Sequence, residues 1–183
     1  MIQTLFEFYK KLDDFLSDIF VCKNCKWIRC RGYIWLLPEE SEVLVNANVP
    51  IVEINGEINF VHSFPEVNNQ IDFGAIKPKC LMLQDNNLCC VYQIRPLVCR
   101  LYPFGLILNK GKIKWIIHKD CEITVQIGEN FDQSELCQKF LFITRELDNK
   151  LKKEIFSAYH LVNNISILPD GVPNNYHILK ERR

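Results

Sequence analysis

The sequence has no net charge bias, little glycine and no long apolar run, and each shortage closes a class of function. Lysine plus arginine equals aspartate plus glutamate at 22 each. No electrostatic pull toward nucleic acid, an anionic membrane or an acidic substrate is therefore expected. No stretch approaches the about 18 apolar residues that a bilayer requires. The opening segment MIQTLFEFYKKLDDFL is interrupted by Lys10, Lys11, Asp13 and Asp14, and predicts neither a secretory leader nor a spanning helix. Seven glycines leave few places for a phosphate-cradling loop. No P-loop, dinucleotide glycine motif, H-E-x-x-H helix or serine-histidine-acid arrangement occurs, and neither internal repeats nor low-complexity segments are seen.

What the chain does have is cysteine. There are nine, an odd number that cannot all pair within one molecule and too sparse for a small disulfide scaffold. They fall in blocks: Cys22, Cys25 and Cys30, then Cys80, Cys89, Cys90 and Cys99, then Cys121 and Cys137. A cytoplasmic location is expected, where thiols stay reduced and clustered cysteines bind metal more often than they form disulfides. With 48% hydrophobic and 24% charged residues over 183 positions, one compact domain is expected at 1–162, followed by an extended tail at 163–183.

The expected fold class is α+β: a small, β-hairpin-rich metal-binding core flanked by an N-terminal amphipathic helix and a long C-terminal helix. Leu5, Tyr9, Leu12, Leu16 and Ile19 repeat at helical spacing, widened by Phe6, Phe8, Phe15 and Phe20. Pro38, followed by Glu39, Glu40 and Glu42, predicts a short helix whose acidic first turn is solvated. Asn55-Gly56 predicts a hairpin with strands near 50–54 and 57–62, and His62 reads as an ordinary strand-end histidine. A second hairpin turns at Asp85, Asn86 and Asn87 and brings Cys80 toward Cys89; a third turns around Asn109, Lys110 and Gly111 and ends at His118 and Cys121. Pro96 and Pro103 predict a rigid irregular turn around Cys99. Asp132 and Glu135 have capping-box spacing for one helix running to about Leu161.

Ligand counting frames the chemistry. A tetrahedral zinc or a [4Fe-4S] cluster takes four thiolates, and two tetrahedral ions sharing one sulfur take seven. Seven cysteines are well placed: Cys22, Cys25, Cys30, Cys80, Cys89, Cys99 and Cys121, with Cys90 and Cys137 as spares. Cys89 and Cys99 are expected to converge with Cys25. Arg95 and Arg100 would either stabilise the thiolate cluster or pair with carboxylates, and Tyr92 and Tyr102 would pack over the site. A cysteine nucleophile, Cys99 with Arg100 and His118, would explain one cysteine and leave six without a role.

CCVYQIRPLVCRLYPF resembles the later motif C-x-I-Y-x-x-R-P-x-x-C-R-x-Y-P of the YkgJ-type cysteine-cluster (CxxCxxCC) family of zinc- or iron-chelating proteins. Cys89, Tyr92, Arg95, Pro96, Cys99, Arg100, Tyr102 and Pro103 fall in register. The family opening, C-x-x-C-x-x-x-C-C, is matched by Cys22 and Cys25, but Cys30 stands alone where the opening has a pair. The resemblance runs over about residues 18–121 and implies a metal-binding protein carrying an iron-sulfur cluster or zinc. It also implies a methyl-transfer role, since the same cysteine region occurs in flagellin lysine N-methylases. A structural zinc module that docks a protein partner is a third reading of the cysteines.

Overall fold

The structure, a computed structural model, describes residues 1–17, 34–54, 56, 58–62, 66–68, 70–71, 79–86, 88–119, 121–164 and 175–180. In chain order the elements are α1 (Leu5–Ser17), β1 (Trp35–Leu36), α2 (Pro38–Asn46), β2 (Ile51–Ile54), β3 (Ile58–Val61), β4 (Glu66–Val67), β5 (Gln70–Ile71), α3 (Leu97–Leu101), β6 (Phe104–Asn109), β7 (Lys112–His118), α4 (Glu122–Ile127), α5 (Glu135–Arg145), α6 (Asn149–Asn163) and β8 (Tyr176–Ile178). This is the α+β class expected. No helix among the described residues is long and apolar enough to cross a membrane. The chain forms two compact units: Met1–Val21 with Arg100–His160 and Val172–Arg183, and Cys22–Cys99 with Leu161–Gly171.

In the first unit, α1 begins on a capping box. The Glu7 carboxylate accepts the Gln3 and Thr4 amides at 2.7 and 3.2 Å while the Thr4 hydroxyl accepts the Glu7 amide at 3.2 Å. These backbone hydrogen bonds, from Gln3 first, hold the Glu7 carboxyl below its usual pKa. Helical spacing then buries Leu5, Phe8, Leu12 and Leu16 and leaves Phe6 exposed. The β6–β7 hairpin turns on Lys110 and Gly111, both at positive φ (49° and 73°), as a two-residue turn matched to the strand twist demands. Strand β8 adds to β7, pairing Ile116 with Ile178 and His118 with Tyr176. A strand thus forms inside the segment expected to be an extended tail.

The expected single C-terminal helix is two helices. The Ile2 amide bonds the Glu146 carbonyl at 2.6 Å, and the Asp148 amide bonds the Ile2 carbonyl at 2.8 Å. This parallel bridge of Ile2 to Leu147 takes backbone groups that a continuous helix would use internally. Asp148 then starts α6, its carboxylate accepting the Lys150 amide at 2.7 Å. The start of α5 differs as well. Its cap is Ser134, whose hydroxyl accepts the Cys137 amide at 3.2 Å, whereas Asp132 points its carboxylate at β8.

In the second unit β3 is central, flanked by β1 and β2; Trp35 pairs with Phe60, and Ile54 with Ile58 across Gly56 at positive φ. One apolar cluster gathers Ile34, Leu36, Leu44, Val49, Val61, Cys80 and Leu83, with Met82, Val91, Ile94, Val98 and Cys99 packed against it. Two cysteines therefore lie at the edge of the core that organises this unit.

Candidate metal centre

The chain around Cys80 and Cys89 folds back as expected. Leu83 bridges Cys89 in antiparallel fashion, the Gln84 amide bonds the Leu88 carbonyl at 2.9 Å, and the Asn86 side chain accepts the Leu88 amide at 3.0 Å. At one end of this turn the Cys80 carbonyl accepts the Leu83 amide at 3.1 Å. The Met82 and Leu83 N–H groups lie near enough the Cys80 sulfur to favour its thiolate, as the Val91 N–H does for Cys89.

Amide donors on a sulfur favour the thiolate. Burial opposes them and wins: it pushes the Cys80 thiol above its ordinary pKa, with the charge of Cys90 adding to the rise. The Cys89 thiol is likewise pushed up by burial and by Cys80 and Cys90, against the Val91 amide and the Arg95 guanidinium. These thiols are therefore near enough to oppose one another's ionisation. A bound cation reverses that balance, because it favours the thiolates that burial disfavours. The donor set of sulfur with backbone amide donors suits a soft ion.

Cys99 lies in α3, and the expected irregular turn is instead one turn of helix. Pro96 sits just before its first residue, where a missing N–H costs the helix nothing, and its carbonyl accepts the Cys99 amide at 3.0 Å. Pro103 follows the helix end. Arg95 donates from Nη1 to the Tyr92 carbonyl at 2.8 Å and lies over the exposed Tyr92 ring at 3.8 Å, placing its charge beside Cys89. Arg100, in the first unit, makes an ion pair with Asp13 and lies over the Tyr9 ring at 4.4 Å. Tyr102 stacks on His118 with ring centroids 5.5 Å apart. Cys121, also in the first unit, is the buried residue that starts α4, its carbonyl accepting the Thr124 hydroxyl at 2.6 Å. Cys137 is buried on α5; burial raises its thiol against a hydrogen bond with Ser134.

Cys22, Cys25 and Cys30 lie outside the described residues, so the expected convergence of Cys25 with Cys89 and Cys99 does too. Of the described cysteines, Cys80, Cys89, Cys90 and Cys99 belong to the second unit. Cys80, Cys89, Cys90 and Cys137 are free thiols. Among the described residues, no three His, Cys, Asp or Glu side chains are grouped to hold a metal ion.

Two features escaped the sequence reading. Cys90, counted as a spare, has its exposed thiol 3.7 Å from the Met82 sulfur and within electrostatic reach of Cys80 and Cys89. The adjacency of Cys89 and Cys90 was its only signal. Glu40, expected in a solvated helix start, is 5% exposed. Its Oε2 accepts the Leu37 amide at 2.7 Å and its Oε1 the Leu97 amide at 2.5 Å. The first bond could be read from a glutamate three residues after the helix cap, but the second depends on tertiary packing.

The second unit thus joins a thiol-bearing turn to a one-turn helix that carries another cysteine. The chain belongs to the CxxCxxCC family, described as "putative zinc- or iron-chelating domain", which matches residues 21–122. No curated protein and no solved structure shows a significant match.

Proposed function

We propose that this protein is a cytoplasmic metal-binding protein that holds an iron-sulfur cluster or zinc in its second unit, with Cys22, Cys25, Cys30, Cys80, Cys89 and Cys99 as the thiolate donors. The observation that carries the reading is the Cys80–Cys89 turn, closed by the bridge of Leu83 to Cys89, in which the Cys80 and Cys90 thiols lie near enough to Cys89 to oppose its ionisation. Backbone N–H groups near a sulfur share the negative charge that it gains on losing its proton. The Arg95 guanidinium beside Cys89 acts in the same direction. When bound, the ion or cluster would tie the N-terminal cysteine block to the Cys80–Cys89 turn and to α3, so that binding energy becomes folding energy.

The test is anaerobic purification of the reduced chain, followed by metal analysis and an absorption spectrum. Iron and sulfide with a broad visible charge-transfer band assign a cluster, and zinc in a colourless protein assigns zinc. A folded, reduced chain that contains neither metal and takes up neither when offered overturns the proposal. Replacing Cys121 by serine decides whether this first-unit cysteine adds to the donor set: a reduced metal content includes it, and an unchanged one leaves it out.

A further inference from the structure

Glu40 is a buried carboxylate. It sits 5% exposed in the second unit, on the same helix as Leu44 of the apolar cluster. A buried carboxylate is retained only when strong hydrogen bonds replace its water. Here each oxygen accepts one backbone amide, Leu37 at the start of α2 and Leu97 at the start of α3, and the second bond spans 57 residues of chain.

The Leu97 bond matters because of where it falls. Leu97 is fully buried, and its amide lies in the first turn of a helix, where no intrahelical acceptor exists. Pro96 before it offers no N–H. Cys99 follows two residues later, with its own amide bonded to the Pro96 carbonyl. Whatever fixes the Leu97 amide therefore fixes the turn that aims the Cys99 sulfur. Glutamine cannot substitute fully, since its side chain offers one acceptor oxygen for two amides.

We propose that Glu40 is a positioning residue for the metal centre: its carboxylate holds α3 by the Leu97 amide and so presets Cys99 as a donor. This rests on the chelating function proposed above. The test uses the full chain, reduced and anaerobic, with cobalt(II) as the probe, its thiolate charge-transfer band as the signal and chelator competition as the measure of affinity. Glu40→Gln should weaken cobalt binding at least about tenfold, the range found when groups that orient metal ligands are removed. The same substitution placed on Cys99→Ser should cost nothing further, because the donor it orients is already gone. Unchanged affinity in Glu40→Gln, or an equal added loss in the Cys99→Ser background, overturns the proposal. Amide hydrogen exchange of the wild-type chain decides the point even if the variant does not fold. Leu97 should be strongly protected, and rapid exchange there removes the basis of the argument. A wild-type chain that binds no cobalt, zinc or iron defeats the chelating function instead, and Leu97 protection then still reports on the Glu40 contact by itself.

Discussion

Phe104 of β6 and Phe140 of α5 stack with ring centroids 3.8 Å apart and planes 1° from parallel, and both rings are fully buried. Trp115 of β7 meets the Phe140 ring edge-on at 5.4 Å, so one aromatic side chain joins the hairpin to the helix. Replacing Phe140 by alanine should destabilise the first unit by about 3–5 kcal/mol through lost burial and an unfilled cavity. Replacement by leucine should cost less, because most of the volume is kept. Urea unfolding followed by tryptophan fluorescence measures both, and an unchanged midpoint for the alanine variant would show that these rings carry little of the core.

Asp132 holds β8 in place. Its Oδ1 accepts the His177 ring at 3.0 Å and the Lys180 amide at 3.1 Å, and its Oδ2 lies 3.7 Å from the Lys180 ammonium. Burial alone would raise this carboxyl, but the His177 and Lys180 hydrogen bonds and charges together hold it below its ordinary value. A folded-state pKa below the unfolded one gives stability that is complete above the unfolded value, about 3.9, and is lost as pH falls through the folded value. Asp132→Asn should therefore cost about 1 kcal/mol near neutral pH, and the gap to wild type should close in strong acid. Chemical denaturation at pH 6 and at pH 2.5 tests this, and a gap that is equal at both would remove the carboxylate from the explanation.

Local backbone chemistry was legible in the sequence, and long-range backbone bonding was not. Lys110-Gly111 announces a turn because both residues can take positive φ, and the strands beside it alternate in the pattern that a half-buried hairpin requires. The short polar turn between Cys80 and Cys89 announced that the chain folds back there, and the structure pairs Leu83 with Cys89. By contrast, the periodicity of α5 continues in register into α6, and only the docking of Ile2 on Leu147 reveals why the helix stops. Asp148-Asn149 was the one local sign of a new start. Glu40 looked solvated because a glutamate at a helix start usually is, and its burial follows from a partner 57 residues away.

The sequence left Arg100 with two roles, and its side chain, 5% exposed, is paired with Asp13 across 87 residues of chain. Removing the carboxylate leaves a guanidinium buried beside the Tyr9 ring with its charge less compensated. Asp13→Asn should cost about 1–3 kcal/mol. Arg100→Met should cost less than Asp13→Asn, and the double variant less than the sum of the two. A double-mutant cycle in urea gives the coupling. Additive losses would mean that the pair contributes nothing beyond each residue's packing.

Cys89 and Cys90 are neighbours in sequence with different surroundings, and metal content should separate them. The Val91 amide and the charge of Arg95 favour the Cys89 thiolate, whereas Cys90 is exposed with its thiol toward the Met82 sulfur. If backbone donors select the ligands, Cys89→Ser and Cys80→Ser should each reduce metal bound per chain, while Cys90→Ser should leave it unchanged. Chelator treatment of the wild-type chain should then lower the thermal midpoint, and restored metal should recover it, because binding to the folded state alone adds stability in proportion to the logarithm of free metal over Kd. The Cys89→Ser midpoint should respond less to chelator than the wild type, and that of Cys90→Ser as much. Loss of metal in Cys90→Ser equal to that in Cys89→Ser would instead bring Cys90 among the ligands, with the exposed thiol completing a site that the amide donors only begin.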